Sequence, residues 1–177
     1  MKDVFRKRVV LVQFSSNYGG STISGILIAR AFVRAGWEVH AIFAFAGPFE
    51  QRFADEGCTT RVVPHRNWLR GGSAVRFLRN YWVELKNVAE FRALFRTIQP
   101  ELVYVNSVVS LAASLAAKKE NIPTVWHLRE LFNDVGGELA VPFLGKGWVR
   151  RLIVRSADRH ICLSRQSGLQ LLGPKLI

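Results

Sequence analysis

Residues 8–20, RVVLVQFSSNYGG, decide the fold of this chain. The opening run of Val and Leu lacks polar alternation, which is typical of a strand buried on both faces of a sheet. The SSNYGG that follows is rich in turn residues. From Ser21 the apolar residues recur with a helical period, and Gly36 follows as a typical C-cap glycine. A buried strand, a tight turn and a helix together form the first unit of a parallel α/β sheet.

The same unit recurs along the rest of the chain. Further strands are predicted at residues 38–45, 59–63, 102–105, 124–128 and 160–163, and helical segments at 66–99 (broken near 71–72), 108–119 and 148–157. Right-handed crossovers between parallel strands place helices on both faces of such a sheet. The sequence therefore predicts a single domain over residues 1–177: a Rossmann-like three-layer α/β/α sandwich with a mainly parallel sheet of about six strands.

Composition excludes several classes of protein. The 177 residues are 49% hydrophobic, which is ordinary for a folded domain, and no apolar run reaches the ~18 residues that cross a bilayer. The N-terminus shows no secretory signal. Cys58 and Cys162 form no CxxC motif, Cys162 is expected in the core, and the four histidines lack metal-ligand spacing. We therefore expect a cytoplasmic protein with no structural metal and no cofactor.

The charge is unusual, with 25 Lys and Arg against 13 Asp and Glu, a net charge of +12. Half of this excess lies in residues 61–99, where aromatic residues are interleaved with the cations. Such a segment suits an anionic membrane surface, contacted by Arg66, Arg70, Arg76 and Arg79. The alternative is that the aromatic residues pack on the sheet and the arginines form a solvated face. The sequence leaves both open.

Ligands of an open parallel sheet bind beyond the carboxyl ends of its strands, so the residues after each strand are candidate site residues. After the first strand, Gly19 and Gly20 allow a sharp turn and a close approach to a ligand, and Ser21 stands at a helix N-terminus that attracts anions. The alternative is an ordinary turn in which Ser21 or Thr22 caps the helix.

Polar residues also follow the fourth and sixth predicted strands. Asn106 and Ser107 are placed to reach the cleft, or they cap a helix that starts at Val108. Ser164 either faces the cleft or caps the last helix, and Asp158 is expected to cap or to form an ion pair.

The fifth predicted strand ends in His127, Arg129 and Glu130. The imidazole can hydrogen-bond a sugar hydroxyl or a phosphate, and the guanidinium can bind phosphate or carboxylate. Glu130 can pair with either of them or act as a base. The alternative is an internal Arg129–Glu130 ion pair beside a core histidine.

Four stretches in this order resemble the acceptor-binding domain of family 4 glycosyltransferases, which have the GT-B fold. They are Gly19-Gly20 after the first strand, residues 100–107 (PELVYVNS), residues 122–130 (IPTVWHLRE) and residues 156–164 (SADRHICLS). The resemblance implies a retaining transfer of a sugar, of the hexosyltransferase type, from a nucleotide donor without an essential metal. It also implies that His127 contacts the transferred sugar, that Asn106 or Ser107 lines the cleft, and that the glycine loop lies near the acceptor and the donor phosphates.

The family's donor half, with its Glu-rich motif, is absent from residues 1–177. We therefore expect this chain to be the acceptor-side half, inactive alone, and the natural protein to continue past Ile177. The expected partners are a nucleotide sugar as co-substrate and a glycan, lipid-linked or envelope-polysaccharide acceptor, at the inner face of the cell membrane.

Two other functions remain open. One is a standalone nucleotide-binding Rossmann domain, or half of a GT-B-type sugar epimerase; the lack of a GxGxxG after the first strand argues against a dinucleotide site. A nucleic-acid-binding module fits the charge, but the sequence carries no helix-turn-helix, RNA-recognition or zinc-finger signature.

Overall fold

The computed structural model describes residues 7–71 and 73–174. Within them the strands are β1 (Arg8–Gln13), β2 (Glu38–Phe43), β3 (Thr59–Val62), β4 (Leu102–Val105), β5 (Thr124–Leu128) and β6 (Arg159–Cys162). The helices are α1 (Gly20–Arg34), α2 (Glu50–Asp55), α3 (Ala74–Ile98), α4 (Leu111–Lys119), α5 (Gly145–Ser156) and α6 (Arg165–Leu171), with a 3-10 turn at Asn133–Val135. The expectations about the extreme N-terminus and about residues 175–177 lie outside the described residues.

The six strands form one sheet in the order β3-β2-β1-β4-β5-β6, and every neighbouring pair is parallel. The predicted α/β fold is therefore confirmed. Because all strands run the same way, their carboxyl ends meet at one edge of the sheet. The strand order reverses between β1 and β4, which is where open sheets of this kind bind ligands.

The two faces of the sheet are covered unequally. On one face, a large core joins Val10, Val103 and Trp126 to the helices α3, α4, α5 and α6. On the other face, Val9, Leu11 and Phe43 pack under α1 and α2. Among the described residues these two helices cover the β1–β3 side, so the same face of β5 and β6 stays open, and Leu163 there is 59% exposed.

Helix α4 begins at Leu111 and not at Val108. The preceding carbonyl groups are used elsewhere: the indole N–H of Trp68 donates to the Val108 carbonyl (2.9 Å) and that of Trp126 donates to the Ser107 carbonyl (2.8 Å). The expectation that Asn106 or Ser107 caps a helix from Val108 is wrong for this reason.

Residues 66–71 were predicted to be helical and are not. Their backbone groups bind distant partners, because the Arg66 N–H donates to Glu84 Oε1 (2.7 Å) and the Leu69 carbonyl accepts from the Ala140 N–H (2.9 Å). Helix α3 then begins after Ser73, whose hydroxyl accepts from the Arg76 N–H. It runs without a break for 25 residues.

Candidate functional site

The carboxyl edge of the sheet brings together the glycine loop and the residues after β4 and β5, and Asn106 connects them. Its buried amide donates to Gln13 Oε1 (2.6 Å) and to the Ser21 carbonyl (3.0 Å). Its Oδ1 accepts from Arg129 Nη1 (3.4 Å). Asn106 thus holds the start of α1 and the end of β5 in one fixed arrangement.

The backbone of the glycine loop does not form the predicted sharp turn. Gly19 is the N-cap of α1 with φ 172°, an extended conformation open to any residue, and neither Gly19 nor Gly20 lies in the left-handed region that favours glycine. The sharp-turn explanation for these glycines is therefore wrong. A Cβ at either position would meet nothing within 4 Å, so the two glycines leave open space at the helix N-terminus.

Capping of α1 by Ser21 or Thr22 is also wrong, because the helix starts at Gly20 and places both residues in its first turn. The Thr22 hydroxyl donates to the Ser15 carbonyl (3.3 Å). No side chain among the described residues caps this helix. The first N–H groups of α1 are therefore available to an anion in the cleft.

His127 is half-buried on the open face of the sheet. Its Nδ1 lies 2.9 Å from the Tyr104 hydroxyl, and the two rings meet edge to face at 6.1 Å. Burial, and to a lesser extent the Arg129 guanidinium, lowers the pKa of His127. Burial also raises the pKa of Tyr104, so the phenol keeps its proton. If this phenol donates to Nδ1, the neutral ring presents an N–H at Nε2.

Glu130 does not pair with the Arg129 guanidinium in the described part of the chain, so the predicted internal ion pair is wrong. The carboxylate accepts instead from the Ser107 hydroxyl, the Val108 N–H (3.1 Å) and the Arg129 N–H (3.1 Å). These bonds tie the end of β5 to the end of β4. They also direct the Arg129 guanidinium to Asn106.

The remaining predicted residues lie apart from this group. Ser164 is exposed and caps α6 in a reciprocal capping box with Ser167, which confirms the capping alternative. Asp158 accepts from the Thr124 N–H (2.8 Å) at the start of β5. Cys162 is partly buried and packs against the larger core, and Cys58 is buried.

The four predicted membrane-surface arginines divide into two pairs. Arg66 and Arg70 line a pocket of about 550 Å³ beyond β1, β2 and β3. Arg76 and Arg79 are exposed on α3. In the described ranges no helix has both the length and the apolar character needed to cross a membrane. Nor do those ranges contain a group of three or more His, Cys, Asp or Glu side chains suited to a metal ion.

Sequence reasoning missed the side chains that support the site. Gln13 holds Asn106, Tyr104 orients His127, and Phe14 and Phe45 form a wall of the arginine-lined pocket. A polar residue inside a buried strand, such as Gln13, was the one available signal. Tyr104 gave no signal, because a tyrosine in an apolar strand normally indicates packing.

The fold and the edge site define one Rossmann-like half of a GT-B glycosyltransferase. The sequence profile of the glycosyl transferase 4-like domain matches residues 26–173. The chain therefore belongs to this family, as the resemblance predicted.

The chain is also similar to individual proteins. A UDP-N-acetylglucosamine–N-acetylmuramyl-(pentapeptide) pyrophosphoryl-undecaprenol N-acetylglucosamine transferase of Halothermothrix orenii is 25% identical over 173 residues, 92% of this chain and 43% of the relative. Anabaena Alr3699/HepE, crystallised with UDP and glucose, superposes with a TM-score of 0.68 at 17% identity, over 94% of this chain and 41% of that one.

A putative UDP-N-acetylglucosamine 2-epimerase from Listeria monocytogenes has a TM-score of 0.59 at 13% identity, over 97% of this chain and 43% of its own. Likenesses at this level of identity show the fold alone. The chain spans less than half the length of each of these relatives.

Proposed function

We propose that this chain is the acceptor-side half of a glycosyltransferase that moves a hexose from a nucleotide sugar to an acceptor, with His127 as the catalytic residue. The observation that carries the proposal is the half-buried imidazole at the carboxyl end of β5, whose Nδ1 lies 2.9 Å from the Tyr104 hydroxyl and whose pKa is lowered by burial. A neutral imidazole of fixed orientation can donate from Nε2 to a sugar hydroxyl without adding a positive charge to the site.

The donor phosphates have a matching environment nearby. The uncapped N-terminus of α1 and the Arg129 guanidinium are joined through Asn106, so a positive helix end and a cation share one region of the cleft. We infer that a UDP sugar is the donor, because the Halothermothrix orenii relative is named for UDP-N-acetylglucosamine and the Anabaena protein was crystallised with UDP. Gly19, Gly20, Ser21 and Ser107 then line the substrate cleft.

A second domain that binds most of the donor completes this enzyme in our proposal, in keeping with relatives more than twice as long as this chain. Retention of the anomeric configuration follows from the family resemblance. Because the Glu130 carboxylate is occupied by three hydrogen bonds, we assign it a structural role and not that of a base.

We further propose that α3 places the enzyme at the inner face of the cell membrane. Val75, Leu78 and Trp82 share one side of the helix at spacings of three and four residues, and Trp82 is 61% exposed. Arg79 flanks this side, and Phe143, 62% exposed, lies close to it next to Phe77. Apolar anchors bordered by cations suit an anionic bilayer, and a lipid-linked acceptor would be reached there.

The test uses the natural protein with its second domain, assayed for transfer from UDP-N-acetylglucosamine and UDP-glucose to membrane-extracted acceptors. We expect H127A to lower kcat about 100-fold or more, since a lost donor to developing charge has an effect of this size. H40A is the matched control, because His40 is a half-buried histidine of β2 that pairs with Glu38, away from the carboxyl edge. Equal activity of H127A and wild type contradicts the proposal.

The anomeric configuration of the product, read by NMR, tests retention separately. If the protein instead converts either UDP sugar into its epimer without transferring it, the epimerase alternative is favoured. The Listeria monocytogenes structure provides a likeness of fold for that alternative.

A further inference from the structure

A second pocket lies at the carboxyl edge, on the half formed by β1, β2 and β3. Its volume is about 550 Å³, and it is lined by Phe14, Phe45, His65, Arg66, Asn67, Arg70, Asn80 and Glu138. We name it the aromatic–arginine pocket. This pocket lies beyond β1, β2 and β3, whereas His127 belongs to β5, so the pocket is a separate part of the cleft.

One wall of this pocket is aromatic and fixed. The Phe14 ring meets Phe45 edge to face at 5.8 Å and His65 at 5.6 Å. Both ring nitrogens of His65 are occupied, Nδ1 by the Val63 carbonyl (2.8 Å) and Nε2 by the Ser110 hydroxyl (2.9 Å). Phe45 is 38% exposed, so an apolar surface faces the pocket. Such a surface suits the face of a sugar ring or another organic group.

Two arginines also line the pocket. In residues 7–71 and 73–174, neither Arg66 nor Arg70 lies within 4.0 Å of a carboxylate, whereas Arg30, Arg92 and Arg96 all form ion pairs. Burial lowers the pKa of His65 to about 4, so this ring adds no charge at neutral pH. Glu138 also lines the pocket, and its one negative charge against the two arginines leaves a net positive charge.

The position of Arg66 is set by the core of the protein. Its backbone N–H donates to the buried carboxylate of Glu84 (2.7 Å), and the next residue, Asn67, accepts at its side chain from the Leu69 N–H (2.9 Å). Asn80 of α3 also donates to the Asn67 carbonyl (3.3 Å). The two guanidinium groups thus extend from a braced segment, which lowers the cost of ordering them around a ligand.

We propose that the aromatic–arginine pocket binds a phosphate ester, with Arg66 and Arg70 on the phosphate and Phe14 and Phe45 against its organic group. This inference rests on the proposed function and makes the bound compound the acceptor. Two guanidinium groups match the charge of a phosphate dianion and donate in pairs to its oxygens. The volume accommodates a phosphate together with one ring.

The pocket also adjoins the proposed membrane surface, because Arg70 lines a neighbouring groove with Phe77 and Phe143. A lipid phosphate and a soluble phosphate ester are therefore both possible sources of the ligand, and the experiment has an arm for each.

The soluble arm measures binding of phenyl phosphate and of inorganic phosphate to the 177-residue chain by calorimetry. We expect phenyl phosphate to bind more tightly, and R66Q and R70Q each to weaken it about tenfold or more, as expected for a lost hydrogen bond to a charged group. F45A should remove the preference for phenyl phosphate. R61Q is the matched control, since Arg61 is an exposed arginine of β3 outside this pocket.

The vesicle arm measures binding to phosphatidylcholine vesicles that contain phosphatidic acid, a phosphate monoester. If R66Q and R70Q lose binding to these vesicles but still bind phenyl phosphate, the pocket is assigned to a lipid phosphate. If they lose binding to phenyl phosphate but still bind the vesicles, it is assigned to a soluble ester. Unchanged binding in both variants and both arms overturns the proposal, as does an equal loss in R61Q. H127A should leave binding unaltered in either arm, so a failure of sugar transfer and a failure of this pocket are distinguishable.

Discussion

The two halves of α3 have similar sequences and opposite environments. Residues 74–86, the first half, contain Trp82 and Arg79, which are exposed. Residues 88–98, the second half, contain Phe91 and Phe95, which are buried, while Arg92 and Arg96 both bind Glu120. In the second half, the aromatic residues therefore pack in the core and the arginines form a solvated face. In the first half, the same kinds of residue form an exposed apolar and basic surface.

The length of the helix explains the difference. A helix of 25 residues is about 37 Å long, whereas strands of four to six residues span about 13–20 Å. Helix α3 follows β3 and runs back to the start of β4, so its second half lies over the sheet and its first half extends past the carboxyl edge. The length of the helix relative to the strands thus leaves Trp82 exposed, although Phe77 on the other side of the first half is still buried in the core.

The largest expected effect is on stability, in the second half. F91A should lower the free energy of unfolding by about 3–5 kcal/mol, because Phe91 is fully buried between the sheet and α4. W82A, the same kind of truncation on the first half, should change it by less than about 0.5 kcal/mol. Urea unfolding followed by circular dichroism measures both, and similar losses in the two variants would break the comparison.

Glu84 lies on the buried side of the first half of α3, and its ionisation makes the free energy of unfolding depend on pH. Its buried carboxylate accepts from the Arg66 N–H and the Ala112 N–H (2.9 Å), and burial raises its pKa to about 7. The folded state thus holds this proton more tightly than the unfolded state, whose pKa is about 4.3. The contribution of Glu84 to the free energy of unfolding is fully present below the pKa of the unfolded state. It is lost as the pH rises through 7, by up to about 3 kcal/mol.

We expect E84Q to flatten the change in unfolding free energy between pH 5 and pH 8, about the range over which Glu84 ionises. His65, whose pKa is lowered to about 4, acts in the opposite sense, since its contribution is lost only as the pH falls below about 6.5. Unfolding curves in urea across this pH range measure the slope. An unaltered slope in E84Q would remove Glu84 as its cause.

Of the two halves of α3, only the first should contribute to membrane binding. W82A should weaken binding to vesicles that contain phosphatidylglycerol by roughly tenfold, because a largely exposed indole loses its apolar contact with the bilayer. R79Q should weaken it less, by about 1 kcal/mol. Sedimentation with vesicles measures both. R96Q serves as the control, because Arg96 already binds Glu120, and equal losses for R79Q and R96Q would indicate unspecific attraction.

The smallest expected effect concerns the ion pairs of the second half. Arg96 and Arg92 lower the pKa of Glu120, but the pairs lie at the surface, where the Arg96 side chain is 61% exposed, so E120Q should shift the unfolding midpoint only slightly. The shift should disappear in high salt, where such pairs are screened. A large, salt-independent loss of stability would show that these arginines belong to the core after all.

Much of the site could be predicted from the sequence, because residues after a parallel strand lie at its carboxyl edge in any such sheet. His127, Asn106 and Arg129 were located in this way. The hydrogen bonds among these residues could not be predicted: Asn106 contacts Gln13 and Ser21, and Tyr104 contacts His127, across 93, 85 and 23 residues of sequence. The catalytic and binding roles of these residues stay predictions.

The sequence by itself determined the succession of strands and helices along the chain, the parallel sheet and the edge at which the candidate site residues gather, since apolar period and turn residues are local properties of the chain. The tertiary structure alone decided where α4 begins, which arginines are paired, and that Arg66 and Arg70 line a pocket. The physical reason is that hydrogen bonds and ion pairs such as Arg66 to Glu84 and Arg92 to Glu120 join residues 18 and 28 positions apart. Only packing of the helices on the sheet brings such partners together.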